Sequence, residues 1–138
     1  MVTRQSHTTI YVLDQDKALE FYQGILGLEV RTDMRMEQGF RWLTVGPKAQ
    51  PDLEIVLMPV QAGPAMDAEP AERICGLLEK GAMGVGVFET DDIHRDCAEW
   101  SAKGVQFVSP PKEQFYGIEA LVRDNSGNWF SLTQRKKG

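Results

Sequence analysis

No stretch of this 138-residue chain approaches the roughly 20 consecutive apolar residues that a membrane-crossing helix requires, so a helical span is excluded and no membrane partner is expected. The first residues, Met1-Val-Thr-Arg-Gln-Ser-His7, lack the basic start and apolar stretch of a secretory signal, which points to a cytoplasmic protein. Cysteine is scarce. Cys75 and Cys97 lie far apart and form no C-x-x-C pair, which excludes a zinc-finger spacing and a thioredoxin-like motif and leaves two packing thiols. Basic charge is also short: 15 Lys and Arg against 20 Asp and Glu give a net charge of −5, and the one basic cluster, Arg135-Lys136-Lys137, closes the chain. A nucleic-acid backbone needs a concentrated basic face, so no nucleic-acid partner is expected, whereas a cationic small molecule is compatible with the acidic balance.

Apolar residues at 42% and charged residues at 25% are ordinary for a globular chain, and 15.5 kDa is the size of one domain with a core of its own. The strand-forming run His7-Thr-Thr-Ile-Tyr-Val12 puts His7, Thr9 and Tyr11 on one face and Thr8, Ile10 and Val12 on the other. Asp14 is placed to cap a helix of about three turns, with Ala18, Phe21, Tyr22, Ile25 and Leu26 at helical spacing and Gly27 as its stop. Strands are predicted over 28–36, 40–45 and 53–58, separated by Gln38-Gly39 and by the Gly- and Pro-containing segment 46–51. The segment 59–70 reads as a connection, and a further helix is predicted over 71–80, ending at Gly81.

The pattern then restarts. A strand over 83–90 precedes a helix capped by Asp91 or Asp92, with Ile93, Cys97 and Trp100 as its apolar stripe and Gly104 as its stop. Strands over 105–108, 117–122 and 129–133 follow, the last two joined by the turn sequence Asp124-Asn-Ser-Gly-Asn128. Asp14 maps onto Asp92 and Tyr22 onto Trp100 with one offset of 78, so the repeat is one of pattern rather than of residues. The reading is α+β: two β-α-β-β-β modules, one over about 4–60 and one over 83–134, joined by a connection over 61–82, within a single domain. Helix-free sheet faces curled toward one another would enclose a groove for a small ligand.

His7-Thr-Thr-Ile-Tyr-Val-Leu-Asp14, Lys17-Ala-Leu-Glu-Phe-Tyr22, Leu26-Gly-Leu-Glu-Val30 and the closing Arg123-Asp-Asn-Ser-Gly-Asn-Trp-Phe-Ser-Leu-Thr133 resemble the vicinal oxygen chelate superfamily. That superfamily includes glyoxalase I, extradiol dioxygenases, fosfomycin-resistance enzymes and bleomycin-resistance proteins. The resemblance implies a divalent metal held by one side chain from the first and last strand of each half. His7 and Glu54 match the first-half ligand positions, while Val85 stands where a histidine is usual and Ser131 where a glutamate is usual. A valine has no lone pair and a serine hydroxyl is a weak ligand, so two of the four implied donors are replaced.

Two functional readings follow. One is a protein like the bleomycin-resistance branch that binds a small organic molecule in a groove lined by His7, Tyr11, Trp42, Glu54, Trp129 and Ser131, with no cofactor required. The other is a metal-dependent lyase, isomerase or dioxygenase in which His7 and Glu54 hold a divalent ion, with Glu119 as a further donor if it points inward. His7 and Glu54 also read as a simple hydrogen-bonded pair. Phe115 and Tyr116 are candidate neighbours of the groove, whereas Trp100 and Phe130 read as core, and Glu89, His94 and Glu113 as solvated surface. Open sheet edges favour a homodimer.

Overall fold

The structure is a computed structural model that describes residues 1–137. It divides into two compact units, Met1–Cys75 and Gly76 onward. In the first unit, β1 (His7–Val12) and α1 (Gln15–Tyr22) are followed by β2 (Glu29–Arg35), β3 (Arg41–Gly46) and β4 (Glu54–Pro59). The strands form one sheet in the order β1-β4-β3-β2, with β1 and β4 parallel and the other neighbours antiparallel.

Asp14 caps α1 from an extended conformation, its carboxylate accepting from Lys17 N at 3.0 Å. The regular helix is only eight residues long, shorter than the apolar spacing predicts. Ile25 and Leu26 both donate backbone bonds to the Phe21 carbonyl, so the helix unwinds into a wider turn that Gly27 completes at φ +76°. Ala18, Phe21 and Tyr22 pack with Ile10, Val12, Leu43, Val45, Ile55 and Leu57 to make the core of this unit. Each large side chain withdrawn from water in this way is worth about 2 kcal/mol.

α2 (Ala68–Glu79) begins three residues before the predicted helix and crosses the boundary between the units. In the second unit, β5 (Gly84–Glu89), α3 (Ile93–Ala102), β6 (Gln106–Gln114), β7 (Gly117–Arg123) and β8 (Trp129–Arg135) repeat the element order. Their sheet runs β5-β8-β7-β6, again with the first and last strands parallel. Asp92 caps α3 by accepting from Arg95 N at 3.1 Å, and Ile93, Cys97 and Trp100 are buried with Ala120, Val122, Phe130 and Leu132. Burial, with the charge of Asp96 as a lesser cause, pushes the Cys97 thiol up to about 11, as expected of a packing cysteine.

β6 is longer than the predicted strand over 105–108 because it continues through Pro110 and Pro111. Two register shifts absorb these residues, and the strand lies at a sheet edge, where a missing N–H costs no ladder bond. No helix among the described residues is long and apolar enough to cross a membrane.

Candidate functional site

Each sheet has one face under its helix and one turned away, and the candidate residues lie on the second of these. In the first unit the parallel register sets His7 beside Glu54, with Tyr11 beside Met58 farther along the same face. His7 Nε2 lies 3.0 Å from Glu54 Oε2, both side chains being partly exposed. Ser6 Oγ lies 2.8 Å from the other imidazole nitrogen, Nδ1. Thr44 on β3 donates to Glu54 Oε1 at 2.8 Å, and Thr32 on β2 approaches the same oxygen at 3.4 Å. Every strand of this sheet therefore contributes to one polar network centred on the Glu54 carboxylate. Trp42, two residues before Thr44 and half-buried, flanks it with its ring centroid 6.1 Å from that of His7.

The threonine donors carry no motif of their own in the sequence, although the period of two that sets Trp42 on this face also sets Thr44 there. One level away, Arg31 occupies the register shift of β2 and donates to the Pro47 and Gln50 carbonyls at 2.7 and 3.2 Å and to Glu29 at 2.6 Å. It clamps the β3–β4 turn, while its buried Nε has no hydrogen-bond partner among the described residues.

In the second unit Trp129 and Ser131 share a face of β8. The Trp129 ring lies across Gly84, its parallel neighbour on β5, so that a Cβ at residue 84 would come within 2.7 Å of the indole. The ring is left 36% exposed. Ser131 is buried, and its hydroxyl donates to Glu119 Oε2 at 2.6 Å and meets Thr133 Oγ1 at 2.8 Å. Glu119 thus turns onto the Ser131 face, settling an orientation that strand periodicity alone leaves open. The nearby Glu119 carboxylate, as a hydrogen-bond acceptor and, after a lesser effect of burial, as a charge, raises the Tyr116 phenol above its ordinary range. Phe115 packs edge-on against Tyr116 in the same turn, at 5.1 Å between centroids.

The residue beside Ser131 on β5 is Val87, which is largely exposed. A sequence offset of 78 carries His7 onto Val85, but β5 holds an extra residue between Gly84 and Val87, with Gly86 at φ +109°. This bulge leaves Val85 half-buried within the shift and brings Val87 to the place that His7 fills beside Glu54. Outside the network, Trp100 and Phe130 are buried as expected, and His94 is exposed. Glu89 is solvated but pairs with Arg135 at 2.7 Å.

The model of the glyoxalase/bleomycin resistance protein/dioxygenase superfamily matches residues 4–132. The chain belongs to that superfamily. Among solved superfamily-like structures, UcmS2 is 46% identical, with 96% of this chain and 98% of that one covered and a TM-score of 0.88. TnmS3, described as an antibiotic binding protein from Streptomyces sp. CB03234, is 29% identical over 98% of each chain, with a TM-score of 0.75. A glyoxalase/bleomycin resistance protein from the same organism is 30% identical over 93% of this chain and 97% of its own, with a TM-score of 0.68.

The metal that superfamily membership suggests needs at least three protein donors. The first unit offers His7 and Glu54, whose facing atoms are bonded to each other and whose remaining acceptor oxygen is taken by threonines. In the second unit Val87 offers no donor and the Ser131 hydroxyl is spent on Glu119. No group of three or more His, Cys, Asp or Glu among the described residues is arranged to hold an ion.

Proposed function

We propose that this protein binds a small organic molecule against the helix-free sheet faces and needs no metal to do so. The observation that carries the reading is Trp129, one side of whose ring rests on the bare backbone of Gly84 while over a third of the residue stays exposed. A ring held in this way is a preformed stacking surface, which costs little entropy when a flat ligand settles on it. Ser131 accompanies Trp129 on the face of the second unit, and His7, Tyr11, Trp42 and Glu54 line the corresponding face of the first. The likeness to TnmS3 supports the choice of an antibiotic-like molecule over a metabolite processed at a metal. We also propose the cytoplasm as its location and a homodimer as its form, the latter to be checked by sedimentation equilibrium.

The test is a tryptophan-fluorescence titration of protein purified without a metal-affinity tag, using planar aromatic antibiotics, alongside elemental analysis. Saturable quenching that disappears in Trp129→Ala, with no stoichiometric transition metal, is the expected result. A second reading, a metal-dependent lyase, isomerase or dioxygenase, has the adjacent His7 and Glu54 in its favour. One tightly held ion per chain, lost in His7→Ala, would establish that reading in place of the first.

A further inference from the structure

The two units carry the same pair of groups with the roles exchanged. In the first unit Thr44 pairs with Val56, two residues beyond Glu54, and its hydroxyl donates to that carboxylate. In the second unit Glu119 pairs with Thr133, two residues beyond Ser131, and its carboxylate receives the serine hydroxyl. Thr44 and Glu119 thus hold equivalent places on the third strand, as Glu54 and Ser131 do on the fourth. The second sheet keeps an acidic acceptor that has moved one strand over.

The surroundings of that acceptor differ from those of Glu54, which has His7 against it. Glu119 takes part in none of the ion pairs formed among the described residues. Its protein donor is the neutral hydroxyl of Ser131, and the Tyr116 phenol, also neutral, lies close by. A half-buried carboxylate with neutral partners retains acceptor capacity, since its two oxygens offer about four lone-pair sites. Glu119 is in register with Thr133, but its carboxylate reaches back to the Ser131 hydroxyl, and Ser131 stands two residues along β8 from Trp129, a rise of about 7 Å on the same face.

We infer that Glu119 is the polar anchor of the binding face in the second unit, accepting a hydrogen bond from a ring hydroxyl or ring N–H of a planar aromatic molecule stacked on Trp129. The inference rests on the binding function proposed above and adds to it the ligand class and the residue that selects it. Ser131 holds the carboxylate in place, and a ligand lacking a donor leaves it partly desolvated with nothing gained.

The probes are 2-naphthol, which carries the donor, and 2-methoxynaphthalene, which does not, both titrated by NMR into the full chain. 2-Naphthol is expected to bind about tenfold more tightly, as befits a hydrogen bond to a charged acceptor. Glu119→Gln keeps only a neutral acceptor and should shrink the preference for 2-naphthol to about twofold while leaving the affinity for 2-methoxynaphthalene unchanged, which also reports that the variant is folded. In the wild-type chain, 2-naphthol and not 2-methoxynaphthalene should shift the amide signals of Ser131 and Ala120. Equal affinities in the wild type, an undiminished preference in Glu119→Gln, or an absence of that selective shift would overturn the assignment while leaving aromatic binding intact. If neither compound binds, the proposed function falls and this assignment with it.

Discussion

The first unit fills its helix-free face with a carboxylate that three other strands contact, whereas the second gives the corresponding place to a serine and opens its edge around a tryptophan. The contrast extends to the turns. The β3–β4 turn is clamped from outside by a cation, Arg31, donating to carbonyls, and the β7–β8 turn from inside by an anion, Asp124, accepting from amides. One strand order therefore supports two sites of different character. What differs is the residue placed at each ladder position, together with the strand irregularities, above all the bulge in β5 that carries Val87 to the place matching His7.

The β7–β8 turn is where this contrast breaks most readily. Asp124 Oδ1 accepts from the amides of Ser126, Gly127 and Asn128 at 2.8 to 3.0 Å, and Oδ2 accepts from the Asn128 side chain at 2.9 Å. The residue is 6% exposed. Asp124→Ala strands these donors and is expected to cost about 3 kcal/mol in urea unfolding, because charged hydrogen bonds are lost and buried amides left unpaired. Arg31→Met in the first unit should cost less, since the freed carbonyls of Pro47 and Gln50 lie in an exposed turn.

A second difference lies under the helices. Arg41 joins α1 to the sheet, donating to both oxygens of Asp33 at 2.8 and 2.9 Å and to Asp16 at 2.6 Å, with its side chain only 11% exposed. Among the described residues, Arg95 in α3 pairs only with Asp91 and Asp96 in its own turn and is half-exposed. Arg41→Met is expected to cost about 2 kcal/mol, since it removes a bidentate pair that ties two layers together. Arg95→Met should leave the melting temperature unchanged, as exposed local pairs contribute little.

Much of this was legible in the chain, and the reasons are physical. The apolar alternation of Ile10 and Val12, the caps Asp14 and Asp92 and the stops at Gly27, Gly81 and Gly104 are local signals, and all appear in the structure. His7 beside Glu54 was legible through the resemblance, because it fixes a register that local propensity does not. The bulge was not legible: Gly84-Val-Gly-Val reads as an even strand, and only the ladder shows that Gly86 takes a positive φ. The Thr44–Glu54 and Ser131–Glu119 bonds were hidden too, since they depend on which residues of separate strands meet.

A smaller change sharpens the difference between the sites themselves. Gly84→Ala introduces a Cβ within 2.7 Å of the Trp129 ring, while β1 holds no comparable glycine. The ring lies at the surface and can tilt, so about 1 kcal/mol of destabilisation is expected. The larger consequence is for function: the Trp129 emission should shift and aromatic binding weaken, while the environment of His7 and Trp42, followed by NMR, stays as it was.

The smallest expected effect concerns acid. Hydrogen bonding to Arg41, opposed by partial burial and reinforced by the charges of Arg41 and Arg35, holds the Asp33 carboxyl below its usual value of 3.8. A carboxyl whose folded pKa is lowered stabilises the fold above its unfolded pKa, and that contribution is lost as pH falls through the folded one. Asp33 therefore contributes in full at neutral pH and begins to lose its contribution below 3.8. Its side chain is 39% exposed, so solvent screening keeps the effect modest. Asp33→Asn should lower the melting temperature slightly at neutral pH and lower it less, relative to wild type, as pH falls from about 5 to about 2.5, the range in which an ordinary aspartate titrates. A difference between the two proteins that stays constant across that range would mean that Arg41 holds the helix to the sheet through Asp16 alone.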